Sequence, residues 1–111
     1  MSIQYKNVGI DLNSTNAISV LTAPSNGRCL IKQIQLHNSH SGNVNVTTSV
    51  TNTVGTFKID LSTVGTNATK EVITKTLVLE EGNILKLTAD VADKVEGIVS
   101  YALIDRSLQN G

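Results

Sequence analysis

The sequence predicts an all-β domain, an antiparallel β-sandwich or jelly roll of about eight short strands. Three observations carry that expectation. Val, Ile and Leu supply nearly all the apolar bulk of a Thr-rich chain, and β-branched side chains suit a pleated surface. Apolar residues recur with period two in runs of strand length, separated by clusters of Asn, Ser and Gly. No segment shows a convincing helical period, and 111 residues suffice for one domain with its own core, so residues 1–111 are read as a single β-sandwich domain.

The first strand is expected over Ile3 to Leu12, with Ile3 and Tyr5 on one parity and Val8, Ile10 and Leu12 on the other. The change of parity near Asn7 implies a bulge or bend. After a turn at Asn13 to Asn16, Ala17 to Thr22 has strand length. Pro24 and the Ser25-Asn26-Gly27 cluster then take the chain out of the sheet and return it at Arg28.

The most regular stretch is Thr22 to Val50. Leu30, Ile34 and Leu36 share a parity, His37 to Asn43 is a polar turn, and Val44, Val46 and Val50 resume the alternation, which reads as a half-buried hairpin. Phe57, Ile59 and Leu61 alternate cleanly with Lys58 and Asp60, and Ser62 to Lys70 reads as a long exposed loop. Glu71 to Leu79 and Ile84 to Ala89 form a second expected hairpin around Glu80-Glu81-Gly82-Asn83, where Gly82 and Asn83 tolerate positive φ. Asp90 to Glu96 is a crossing loop with room for one helical turn, Gly97 to Asp105 is the last strand, and Arg106 to Gly111 is a polar tail expected to fray.

Two strands carry more apolar character than a sandwich needs, since each strand requires only one apolar face. Val99, Tyr101 and Leu103 lie on one parity of the last strand, and Ile98, Ala102 and Ile104 on the other. Ile73, Leu77 and Leu79 are similarly backed by Val72 and Val78. The surplus side chains, Val72, Val78, Ile98, Ala102 and Ile104, are the expected oligomer interface, because large apolar patches on small proteins mark contact sites. Ser39, His40, Gly65 and Asn67 are the expected partner-facing loop residues.

Charge and motif exclude much. Nine basic and nine acidic residues cancel, and the lysines are spread, so the basic footprint of a nucleic-acid binder is missing. Cys29, the sole cysteine, sits in an apolar run and reads as a small buried hydrophobe rather than a nucleophile. His37 and His40 make two ligands at most, too few for a metal site. Asp90, Asp93 and Glu96 do not follow a calcium-loop spacing, and no glycine-rich phosphate loop opens a helix. No catalytic residue, cofactor or metal is expected, and the chain is read as not an enzyme.

The start, MSIQYKNVGIDLN, lacks a basic segment followed by an apolar one, and no run approaches the roughly 18 apolar residues that cross a bilayer. The expectation is cytoplasmic synthesis and no membrane partner. Asn13, Asn45 and Asn67 head glycosylation sequons, which chance explains in a chain rich in Asn and Thr.

The order Thr22-Ala23-Pro24-x-x-Gly27, Leu30-Ile31-Lys32-x-Ile34-x-Leu36-x-Asn38 and Val44-x-Val46 is similar to a segment of small virion proteins of tailed bacteriophages. Leu79-x-x-Gly82-x-x-Leu85-x-Leu87-x-Ala89, followed by Val95 and the strand Ile98 to Ile104, continues the likeness. Cys29 and the His37/His40 turn fall where that family varies.

The resemblance implies a β-sandwich structural component of the virion with no catalytic residue to carry over. The expected function is a non-enzymatic capsid decoration (cement) protein that self-associates, a trimer being one arrangement, and binds the major capsid protein or other virion proteins. It would be made in the host cytoplasm and located in the virion. The alternatives are a neck, tail or fibre component and, from another class, a carbohydrate-binding module. That last reading needs aromatic platforms, and Tyr5, Phe57 and Tyr101 are the only aromatic residues, at least two of them at core-like positions.

Overall fold

The computed structural model describes residues 2–105, which form nine strands and no helix. Sheet I contains β1 (Ser2–Leu12), β9 (Val95–Asp105) and β3 (Gly27–Asn38) in that order, and β6 (Thr69–Ile73) and β7 (Leu77–Leu79) both pair with the far side of β3. Sheet II contains β2 (Ile18–Thr22), β8 (Ile84–Ala89), β4 (Val44–Thr51) and β5 (Thr56–Val64), in the order β2-β8-β4-β5. Because β6 and β7 share one place, each sheet has four positions, and the eight expected strands are present as a jelly roll. The tail from Arg106 to Gly111 lies outside the described residues.

Neither expected hairpin forms. β3 belongs to sheet I and β4 to sheet II, so Thr22 to Val50 crosses between sheets; β7 and β8 are divided in the same way. The chain changes sheet at every connection except β4–β5 and β6–β7. Pairing is instead long-range, with β9 inserted between β1 and β3 in antiparallel register. Period-two alternation states which side chains point inward, but it is silent on which sheet holds the strand. Gly82 does take positive φ (80°), whereas the non-glycine residues that do so are Asn67 (52°) and Asp93 (64°), and Asn83 is not among them.

The core is aliphatic. Leu12, Ile31, Ile34, Leu36, Val95 and Val99 from sheet I face Val44, Val46, Val64, Leu85 and Leu87 from sheet II, all fully buried. Each such side chain contributes roughly 1.5–3 kcal/mol of transfer free energy. Cys29 is buried among them, and burial pushes its thiol pKa up, with nearby Lys6 acting weakly in the opposite sense.

Irregularities in register decide several parities. In β3 the shift between Ile31 and Gln33 leaves Lys32 without a partner, so Cys29 and Ile31 face inward above it and Ile34 and Leu36 below it. Leu30 therefore faces outward, contrary to its expected parity with Ile34 and Leu36. β1 behaves in the opposite way: it pairs with β9 without interruption from Ser2 to Leu12, so the parity change near Asn7 is a change of face and not a bulge.

The expected loop Ser62 to Lys70 shrinks to residues 65–68, between the end of β5 and the start of β6. The Asp90 to Glu96 connection contains turns and no helix, and Asp93 at its positive φ donates its N–H to Leu12 O (3.0 Å).

Candidate functional site

Cross-strand register places the outward side chains of sheet I in rows. One row runs Tyr5–Ala102–Leu30–Val78 through β1, β9, β3 and β7, and the next runs Ile3–Ile104–Arg28. Two rows further along from Tyr5 lies Gly9–Ile98–Gln35–Glu71, and beyond it Asp11–Glu96–His37–Thr69. The face is thus apolar toward the end where Ile3 lies and polar to acidic toward the other.

Of the expected interface residues, Val78 and Ile98 stand on this face, 46% and 43% exposed, and Ile104 is half-buried in it. Ala102 points the same way yet is only 2% exposed, flanked in its row by Tyr5 and Leu30. Val72 separates from the group, since the register shift where β6 meets β3 turns it against the core. Ile3, 56% exposed, and Tyr5, 82% exposed, join the face although the sequence reading had not placed them there. Their signal was the parity change in β1, which marks surplus apolar character as clearly as the doubled parity of β9.

A second apolar surface follows the β4–β5 hairpin. β5 is one of the two edges of sheet II, and the register shift between Thr48 and Ser49 leaves Ile59 without a partner strand residue. The clean alternation of Phe57, Ile59 and Leu61 is therefore split: Phe57 pairs with inward Val50, while Leu61 pairs with outward Thr47. All three are exposed, and Val54 at the hairpin tip is exposed as well. Tyr101 is the only aromatic residue in the core, which corrects the expectation that two of the three sit there.

The expected partner-facing loops lie at one end of the sandwich and are tied together by buried Asn38. Its Nδ2 donates to Gly42 O (3.0 Å), Val64 O (3.0 Å) and Gly65 O (3.2 Å), and its Oδ1 accepts from His40 N–H (2.8 Å). Ser39 N–H and Oγ both donate to Lys94 O. Gly65 O also accepts from Ala68 N–H, which closes the turn that holds Asn67 at positive φ. Ser39, His40, Gly65 and Asn67 thus belong to two adjoining loops joined by one amide side chain.

The residues weighed for metal chemistry are dispersed. His37 Nδ1 lies 2.9 Å from Thr69 Oγ1 on the outer face of sheet I, whereas His40 belongs to the loop. Both carboxylate oxygens of Asp90 accept from Asn45, at 2.9 Å from its backbone N–H and 3.1 Å from Nδ2, and Glu96 lies across the sheet next to His37. Among the described residues no three His, Cys, Asp or Glu side chains gather in a metal-binding group. No helix among them is long and apolar enough to cross a membrane.

No protein-family model matches the sequence, and no curated protein matches it. Solved structures do. A chain of the acid-stable capsid of Helicobacter pylori bacteriophage KHP30 superposes with a TM-score of 0.54 at 10% identity, covering 94% of this chain and 88% of that one. The TNF protein Eiger from S. frugiperda gives a looser superposition, with a TM-score of 0.44, 11% identity and coverage of 91% and 92%. At these identities the shared property is the fold.

Proposed function

We propose that this chain is a non-enzymatic structural protein of a bacteriophage virion, specifically a capsid decoration or cement protein that self-associates and clamps neighbouring shell subunits. The observation that carries the virion role is the jelly roll shared end to end with a chain of a phage capsid. A jelly roll alone serves many functions, so the uncovered apolar surfaces add the second half of the reading. A small domain leaves Ile3, Tyr5, Val54 and Leu61 in solvent at a cost unless another chain covers them.

In this reading the apolar surfaces serve contacts between copies, and the Asn38-tethered loops at the end of the sandwich reach the major capsid protein or another virion protein. Zero net charge lets copies pack densely without mutual repulsion. The sugar-binding alternative gains exposed Tyr5 and Phe57, but Tyr5 shares its row with apolar Ala102 and Leu30, and the nearest hydrogen-bonding side chains, Asn7 and Ser100, stand one row away.

The test is to purify phage particles and count copies of this chain in them by quantitative mass spectrometry. Hundreds of copies per particle are expected for a shell component. Roughly six or twelve would reassign the protein to the neck or tail, and absence from particles would overturn the virion role.

A further inference from the structure

The large apolar side chains exposed among the described residues divide into two sets of equal number. Ile3, Tyr5, Val78 and Ile98 lie on the outer face of sheet I; Val54, Phe57, Ile59 and Leu61 follow the β4–β5 hairpin and the free edge of β5. We infer that these unlike surfaces bind each other, with the hairpin edge of one copy seated on the sheet I face of the next, and that this head-to-tail contact closes into a small ring. The inference rests on the self-association in the proposed function and is independent of the virion assignment, which the particle count tests separately.

Three observations select a second copy as the occupant. The first is area. At roughly 150–200 Å² for a whole side chain of this size, the exposed fractions of either set amount to about 400 Å². A standard interface takes about 800 Å² from each partner, a little over half of it non-polar, so each set supplies the apolar share of one contact.

The second is charge. Lys58 and Asp60 flank Ile59 on the edge, while on the face exposed Glu71 and Glu96 lie beside Ile98 and exposed Arg28 ends the Ile3 row, so each surface carries both signs at its margin. Edge on face lets Lys58 meet the acidic side of the face and Asp60 the Arg28 side, whereas face on face sets like margins against each other.

The third is coverage. Packing face on face would hide one set and leave β5 as an exposed, unpaired apolar edge, a template for aggregation. Edge on face hides both sets in every copy. A head-to-tail contact closes into a ring when the rotation between successive copies is a whole fraction of a turn, and the smallest such rings hold about three or four copies.

The experiment uses the full chain and two surface variants, Tyr5→Glu on the face and Leu61→Glu on the edge. Light scattering coupled to size exclusion at tens of micromolar should give the wild type about three or four times the 11.8 kDa chain mass and each variant a single chain mass. Mixed in equal amounts, the variants should combine into a species of twice the chain mass, because one retains a good face and the other a good edge. A monomeric wild type overturns the inference. So does a Leu61→Glu variant that still associates alone, which would mean face on face, and so does a mixture that stays monomeric. Circular dichroism checks that each variant retains its strands, and Ile3→Lys with Val54→Asp is the second pair should either first variant fail to fold.

Discussion

The outer face of sheet I and the outer face of sheet II arise from the same alternation of strand side chains, yet they are built from different residues. Sheet I presents Ile3, Tyr5, Leu30, Val78 and Ile104 in adjoining rows. Sheet II presents Thr22, Ser19, Lys86, Thr88, Thr47, Thr51, Thr56 and Lys58, with Ser49 buried among them, and its apolar members are half-buried Ile84 in the Thr22–Ile84–Thr51 row and Leu61 at the edge. Ser and Thr keep the β-propensity of the strand while leaving a face that water wets. The difference separates a surface that is polar from one that leaves large apolar side chains in solvent.

That contrast depends first on the two sheets keeping a fixed relation, and Asn38 holds sheet I to the end of β5. Asn38→Ala removes three donated hydrogen bonds and one accepted, leaving Val64 O and His40 N–H short of a partner. A loss of about 3–4 kcal/mol is expected in urea unfolding. A change below 1 kcal/mol would show that the loops do not depend on this residue.

Gly97 tests the frame of sheet I itself. A Cβ there would meet Gln35 O and Leu36 Cδ2 on β3, so Gly97→Ala must push β9 from β3, with an expected cost of about 2–3 kcal/mol. A variant that melts like the wild type would contradict so close an approach of the two strands.

The inner side of sheet II holds a polar flaw, because the hydroxyl of buried Thr48 has no hydrogen-bond partner among the described residues. Thr48→Val keeps the shape and removes the stranded group, so the midpoint of denaturant unfolding should rise by the equivalent of about 1 kcal/mol. A destabilised variant would place an unseen partner on that hydroxyl.

On the outer faces, Ser19→Glu on β2, the edge of sheet II away from β5, should change stability by no more than about 0.5 kcal/mol and leave association intact. Tyr5→Glu should be equally mild toward the fold but abolish association. Equal behaviour of the two variants in sedimentation would erase the distinction between the faces.

The smallest effect concerns pH. Burial holds the proton on Cys29 in the folded chain, so above the ordinary thiol value near 9.0 the unfolded chain releases a proton that the folded chain keeps. Stability is therefore full below that pH and falls as pH rises through the window up to the raised value. Tyr101 is pushed in the same direction, first by burial and then by Cys29. Cys29→Ala should flatten the decline of melting temperature between pH 9 and the raised value without removing it, and an unchanged slope would exclude the thiol as its source.

Much of the inward pattern was legible in the chain. Ile34, Leu36, Val44, Val46, Leu85 and Leu87 were read as strand alternation and are fully buried, and the doubled parity of Ile98 to Ile104 pointed to a face with apolar side chains to spare. Phe57, Ile59 and Leu61 show the limit of that signal. Their alternation is the cleanest in the sequence, and all three are exposed, because a register irregularity and an edge position override parity.

Composition and periodicity thus determined an all-β sandwich with an aliphatic core, since side-chain alternation is a property each strand carries by itself. Only the tertiary structure decided that Thr22 to Val50 crosses between sheets, that β9 lies between β1 and β3, and that the exposed apolar side chains fall into two separate sets. Strand partners are chosen by contacts distant in sequence, and a bulge or a free edge redirects side chains without altering the local pattern that encodes them.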